Sequence, residues 1–193
     1  MLEKVFKHKW LILSVVAGVG FFIDWYTKYL ADSRLTMGLP VPVVGDYLQF
    51  LLVYNKGALF GLNPQSWLPW FPVNQFFLIF SVLAIVVLLL YYHSLKSNEG
   101  LLHWGMILIL PGALGNMFDR IIHPHKGVVD FVRVGVSETL YWPIFNMADV
   151  YVTVGVGLIF LGCIMDGKNQ KTLCQQQRDS VDTSESGDGY PGN

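Results

Sequence analysis

The chain has 193 residues, of which 53% are hydrophobic and 14% charged, whereas a soluble domain carries about 25% charged residues. The formal net charge of -1 is uninformative beside the distribution of charge, and no basic patch interleaved with exposed aromatics suggests nucleic-acid binding. Four apolar stretches, at about 10–30, 72–92, 101–119 and 141–165, approach the roughly 20 residues that a helix needs to cross a bilayer core.

The first stretch follows Lys4, Lys7 and Lys9. It is too long for a signal-peptide core and no small-x-small cleavage pattern follows, so it reads as a retained helix. Asp24 and Lys28 are spaced i,i+4 near its end and share a face. Either Lys28 snorkels outward in an interfacial ion pair, or the two charges belong to a functional site. Residues 34–63 contain short alternating runs broken by Gly38, Pro40, Gly45, Gly57 and Gly61, which predicts a small strand-rich element on the membrane surface.

The third stretch closes on Asn116, Asp119 and Arg120, again on one helical face, after Gly112 and Gly115, which allow close helix approach. Arg120 could neutralise Asp119 within the helix end, or both could serve a shared site. Residues 121–140 read as an interfacial segment carrying Asp130 among apolar neighbours, with Tyr141 and Trp142 as aromatic anchors. Asn146 and Asp149 lie early in the fourth stretch. The polar residues 167–193 are expected to form a disordered tail beyond a membrane domain of 1–166. Cys163 and Cys174 make no disulfide or metal-ligand framework, and His123 and His125 lack a third ligand at zinc spacing.

Cations flank the termini and the loop at Lys96, whereas the opposite loops balance Arg34, Lys56, Lys126 and Arg133 with acids. The positive-inside rule then puts both termini in the cytoplasm. Helices of alternating direction gather Asp24, Lys28, Asn116, Asp119, Arg120, Asn146 and Asp149 at the outer face. Asp130 and Asp149 have no adjacent cation. Desolvation and mutual repulsion would raise the pKa of one of them, if they meet. Such a pair can act as acid and base in one cycle. Spacing alone leaves open that Asp149 merely benefits from a helix N-terminus and that Asp130 is a loop residue.

Five blocks in order resemble the bacterial lipoprotein signal peptidases (signal peptidase II). They are Asp24-Trp-Tyr-Thr-Lys28, Asn55-Lys-Gly-Ala-Leu-Phe-Gly61, Gly112-Ala-Leu-Gly-Asn-Met-Phe-Asp-Arg120, Val128-Val-Asp-Phe131 and Phe145-Asn-Met-Ala-Asp149. Trp25 stands where the family often has Gln, and Val150 where Ser is common. The resemblance implies an all-α integral membrane aspartyl endopeptidase with four transmembrane helices and an extracytoplasmic β element at 34–63. It would cleave prolipoproteins before a diacylglyceryl-modified cysteine in the bacterial inner membrane. Its catalytic aspartates fall on Asp130 and Asp149, and its supporting residues on Asp24, Lys28, Asn55, Gly57, Asn116, Asp119, Arg120 and Asn146. It implies inhibition by globomycin-type antibiotics; no metal or other cofactor is expected, with membrane lipids as surroundings and a monomeric chain. Two other classes compete on the residues alone: a proton-coupled transporter using the carboxylates as a relay, and a non-catalytic membrane scaffold.

Overall fold

The computed structural model describes residues 8–57, 70–96, 99–135 and 140–165. The end of the expected β element (58–63), residues Lys4, Lys7 and Cys174, and the 167–193 tail lie outside them. Four helices are long and apolar enough to cross a membrane: α1 (Lys9–Arg34), α2 (Val73–Ser94), α3 (Gly100–Ile122) and α4 (Met147–Met165). The shortest has 19 residues, about 28 Å of helix against a hydrocarbon core of about 30 Å. On α2, Phe76, Ile79, Phe80, Leu83, Val87 and Leu90 are all exposed. A continuous apolar face of that extent is stable in lipid, not in water.

Contacts between helix ends fix the alternating directions. Lys9, at the start of α1, donates to the carbonyls of Tyr92, His93 and Leu95 at 2.9–3.1 Å. It thereby supplies a donor to carbonyls at the end of α2, where a helix leaves acceptors short of partners. Asn74, in the first turn of α2, donates to the Arg120 carbonyl in the last turn of α3 at 3.1 Å. Ala148 N, in the first turn of α4, donates to Asp24 Oδ1 at 2.8 Å. Late α1, early α2, late α3 and early α4 therefore meet at one end. The opposite half is filled by Leu13, Ala17, Leu88, Leu102, Met106 and Ile107. Among the described residues that packing confines the buried acids and carboxamides to the sheet end, with buried His103 at the other, unlike the continuous polar path that a relay across the membrane needs.

Helix α3 is the hub, in contact with both α1 and α2. A Cβ at Gly112 would overlap the carbonyl oxygen of Ala148, so glycine there lets the first turn of α4 lie directly on α3.

At the polar end sits an antiparallel sheet in the order β1 (Val41–Val44), β2 (Leu48–Asn55), β3 (Val128–Val134). The first two strands fall inside the predicted β element. The third comes from the segment expected to be merely interfacial. Val128, Val129, Asp130 and Phe131 are all buried, so the in-out alternation that signals a strand is lost. Register pairs Val53 with Asp130 and Asn55 with Val128, with an irregularity between Phe50 and Val53. Helix α4 also begins later than the 141 expected. Phe145 and Val132 exchange backbone hydrogen bonds at 2.8 and 3.0 Å, which keeps the chain extended. Pro143 further disfavours helical geometry at Trp142.

Candidate active site

Asp130 enters the site from the middle of β3 and is 3% exposed. Its Oδ1 accepts from Asn146 Nδ2 at 2.6 Å and its Oδ2 from Asn55 Nδ2 at 3.0 Å. Burial is the largest influence on the carboxyl, and the nearby charge of Asp149 adds to it. Together they outweigh the two amide donors and the more distant Lys28, and push its pKa up to about 7. A group that half-titrates near neutrality can hold or release a proton during a reaction.

Asp149 is placed by the start of α4. Its backbone N–H donates to Asn146 Oδ1 at 3.0 Å, while its Oδ2 accepts from Asn146 N at 3.2 Å. This reciprocal pair is a capping box with Asn146 as N-cap. The remaining oxygen, Oδ1, accepts from Asn116 Nδ2 at 3.0 Å. Asn146 bridges the two carboxylates, because its side-chain oxygen holds the Asp149 backbone while its amide reaches Asp130. Cap geometry and site geometry are therefore set by the same residue.

Three carboxamides point their NH2 groups at the acids, and each is turned that way by a donor on its carbonyl side. Gly57 N donates to Asn55 Oδ1 at 2.9 Å, with Gly57 at a φ of +127° that side chains disfavour. Asp149 N orients Asn146. Lys28 Nζ donates to Asn116 Oδ1 at 2.9 Å, and since an ammonium only donates, the NH2 of Asn116 must face Asp149.

Lys28 itself does not snorkel. It is 3% exposed and sits 2.8 Å from Asp24 Oδ2 and 3.0 Å from Asp119 Oδ2. Asp24 caps α4 through Ala148 N, and Asp119 Oδ2 also accepts from Val129 N at 3.1 Å. The cation of Asp119 is thus Lys28 from another helix and not the adjacent Arg120. Arg120 turns away, donating to the Asn116 carbonyl at 2.9 Å with its guanidinium 5.5 Å from the Phe77 ring centre. One ammonium and two carboxylates lock α1, α3, α4 and β3 together behind the Asp130–Asp149 pair.

The structure brings the expected site residues Asp24, Lys28, Asn55, Gly57, Asn116, Asp119, Arg120, Asp130, Asn146 and Asp149 to this end of the molecule. Asn74 was missed. It is 7% exposed and ties α2 to the residue that carries the Arg120 side chain. A carboxamide at the start of an otherwise apolar membrane segment was a usable signal.

Four membrane-length helices, with Asp130 buried on β3 and Asp149 half-buried on α4, each carboxylate oriented by carboxamides, define an integral membrane protein with an aspartic-hydrolase-like site. Residues 16–165 match the family described as Signal peptidase (SPase) II, and the chain belongs to that family. It is 34% identical to the lipoprotein signal peptidase of Ectopseudomonas mendocina, over 86% of this chain and 94% of that one. With the Aquifex aeolicus lipoprotein signal peptidase the identity is 36%, over 89% and 96% respectively. A solved bacterial membrane enzyme superposes with a TM-score of 0.69 at 26% identity, covering 81% of this chain and 90% of that structure.

Proposed function

We propose that Asp130 and Asp149 are the catalytic pair of an aspartic endopeptidase that removes the signal peptide from prolipoproteins. The observation that carries this reading is the Asp130 carboxyl, buried, raised to about 7 and linked to Asp149 through Asn146. A water held between the two is the nucleophile: Asp149, held at the positive end of α4, takes its proton as the oxygen adds to the scissile carbonyl. Protonated Asp130 donates to the developing oxyanion, and a proton then passes to the leaving amine as the C–N bond breaks. Asn116 and Asn146 keep the carboxylates aligned, and Asn55 contacts the substrate near its cysteine. Lys28, Asp24, Asp119 and Arg120 act as positioning residues.

The scissile bond precedes a diacylglyceryl-modified cysteine whose acyl chains stay in the bilayer beside the helices. Residues 1–166 form the peptidase domain, acting as a monomer, with both termini cytoplasmic and the sheet on the periplasmic side of the inner membrane. Lys9 and Lys96 lie at the end opposite the sheet, which supports that orientation. Globomycin-type inhibitors occupy the same site. The direct test is incubation of the purified chain with a lipid-modified prolipoprotein. Conversion to the mature form on a gel is expected, and unchanged mobility would exclude the activity.

The pH dependence has a definite sign. Below about 7 Asp130 keeps the proton it must donate, and above about 7 it loses it. The ratio kcat/KM should therefore fall about tenfold per pH unit on the alkaline side. A profile still rising at pH 8 would contradict the assignment of Asp130 as the acid. The raised pKa also means that the fold loses stability as pH climbs from the unfolded value of about 4 toward about 7, so unfolding should be followed in parallel.

A further inference from the structure

We propose that a slot between the sheet end of α1 and the sheet holds one acyl chain of a membrane phospholipid whose phosphate pairs with Arg34. The slot has a volume of about 330 Å³ and is lined by Leu30, Ala31, Leu35, Phe50 and Phe131, together with Thr27 and Arg34. That volume falls at the small end of ligand pockets, which span about 300–1,000 Å³.

Its polarity singles out one kind of occupant. The Thr27 hydroxyl is spent within α1, bonded to the carbonyls of Ile23 and Asp24 at 2.9 Å each. That leaves Arg34 as the one ionised group in the lining. Arg34 is exposed, and among the described residues the salt bridges are Lys28–Asp24 and Lys28–Asp119, neither of which uses it. It closes the last turn of a membrane-length helix, the depth at which phospholipid phosphates lie. A guanidinium fits a phosphate through paired N–H donors. The diacylglyceryl group on a substrate cysteine has chains but no phosphate, so it would leave Arg34 unanswered.

The slot is distinct from the polar cluster, yet Phe131 adjoins Asp130 on β3 and packs 6.2 Å from Phe50 between ring centres. A bound chain would therefore brace the strand that carries Asp130.

The test follows thermal unfolding of the full chain in a neutral maltoside detergent. Dioleoylphosphatidylglycerol is compared with dioleoylglycerol, which has the chains without phosphate, and with glycerol phosphate, which has the reverse. The phospholipid alone should raise the midpoint by several degrees, saturably. Arg34→Gln should weaken its binding about tenfold, and Arg34→Lys should restore most of it. Leu30→Trp, which fills the slot, should abolish the response. Arg34 is exposed, so its variants should fold even if Leu30→Trp does not. An equal shift from dioleoylglycerol would overturn the proposal by pointing to a neutral lipid such as the substrate's. An equal shift from glycerol phosphate would show a headgroup-only surface site. Unchanged phospholipid binding by Arg34→Gln would remove the phosphate contact altogether.

Discussion

Asp130→Asn and Asp149→Asn should each lower prolipoprotein cleavage by about 10⁴-fold, the scale of a lost acid–base group, while the protein remains inserted and folded. The double variant should be scarcely worse than either single one, because residues that act as a unit are not additive. Stability should change little. An amide at 130 must turn its NH2 toward one of the two donors, Asn55 or Asn146, that the carboxylate accepts from. That costs on the order of one hydrogen bond, about 1 kcal/mol. At 149 the amide oxygen can still accept from Asn146 N within the cap, while its NH2 faces that of Asn116, a loss of the same size. Single-turnover cleavage alongside thermal unfolding separates the two effects. Normal maturation by either variant would overturn the dyad.

Lys28→Met should cost about 3–5 kcal/mol of stability, the range for stranding a buried charge. It would leave Asp24 and Asp119 facing each other without their shared cation, and both are almost fully buried. Asp24→Asn should be milder: its amide oxygen can still accept from Ala148 N, and although its NH2 would then face Lys28, that cation keeps Asp119 and Asn116. Activity adds a second readout. Without the ammonium on its carbonyl side, Asn116 is free to flip and present oxygen to Asp149, so surviving Lys28→Met protein should show a reduced kcat. Equal unfolding midpoints for Lys28→Met and Asp24→Asn would show that the triad is not the lock described above.

Membrane helices, their direction and the identity of the polar residues were legible in the chain because each rests on local information. Hydrophobic length sets a span, and helical spacing puts Asp24 with Lys28 and Asn116 with Asp119 on common faces. The five ordered blocks carried the family. Partnership was not legible, since it is a relation between segments far apart in sequence. Arg120 is the nearest cation to Asp119 along the chain, but Lys28 reaches Asp119 across the helix interface. Capture of Val129 N by Asp119 and pairing with β2 turn an apolar loop segment into a strand.

The Asp130–Asp149 relation shows the same division. The amino-acid sequence by itself determined that two carboxylates without local cations would sit at one end of a four-helix membrane protein. Only the tertiary structure decided that Asn146 would link them, with Asn55 and Asn116 each oriented from its carbonyl side by Gly57 N and Lys28. The physical reason is that hydrophobic length and helical periodicity are written into neighbouring residues. A hydrogen-bond network that buries charge must instead be closed by donors and acceptors from every element at once.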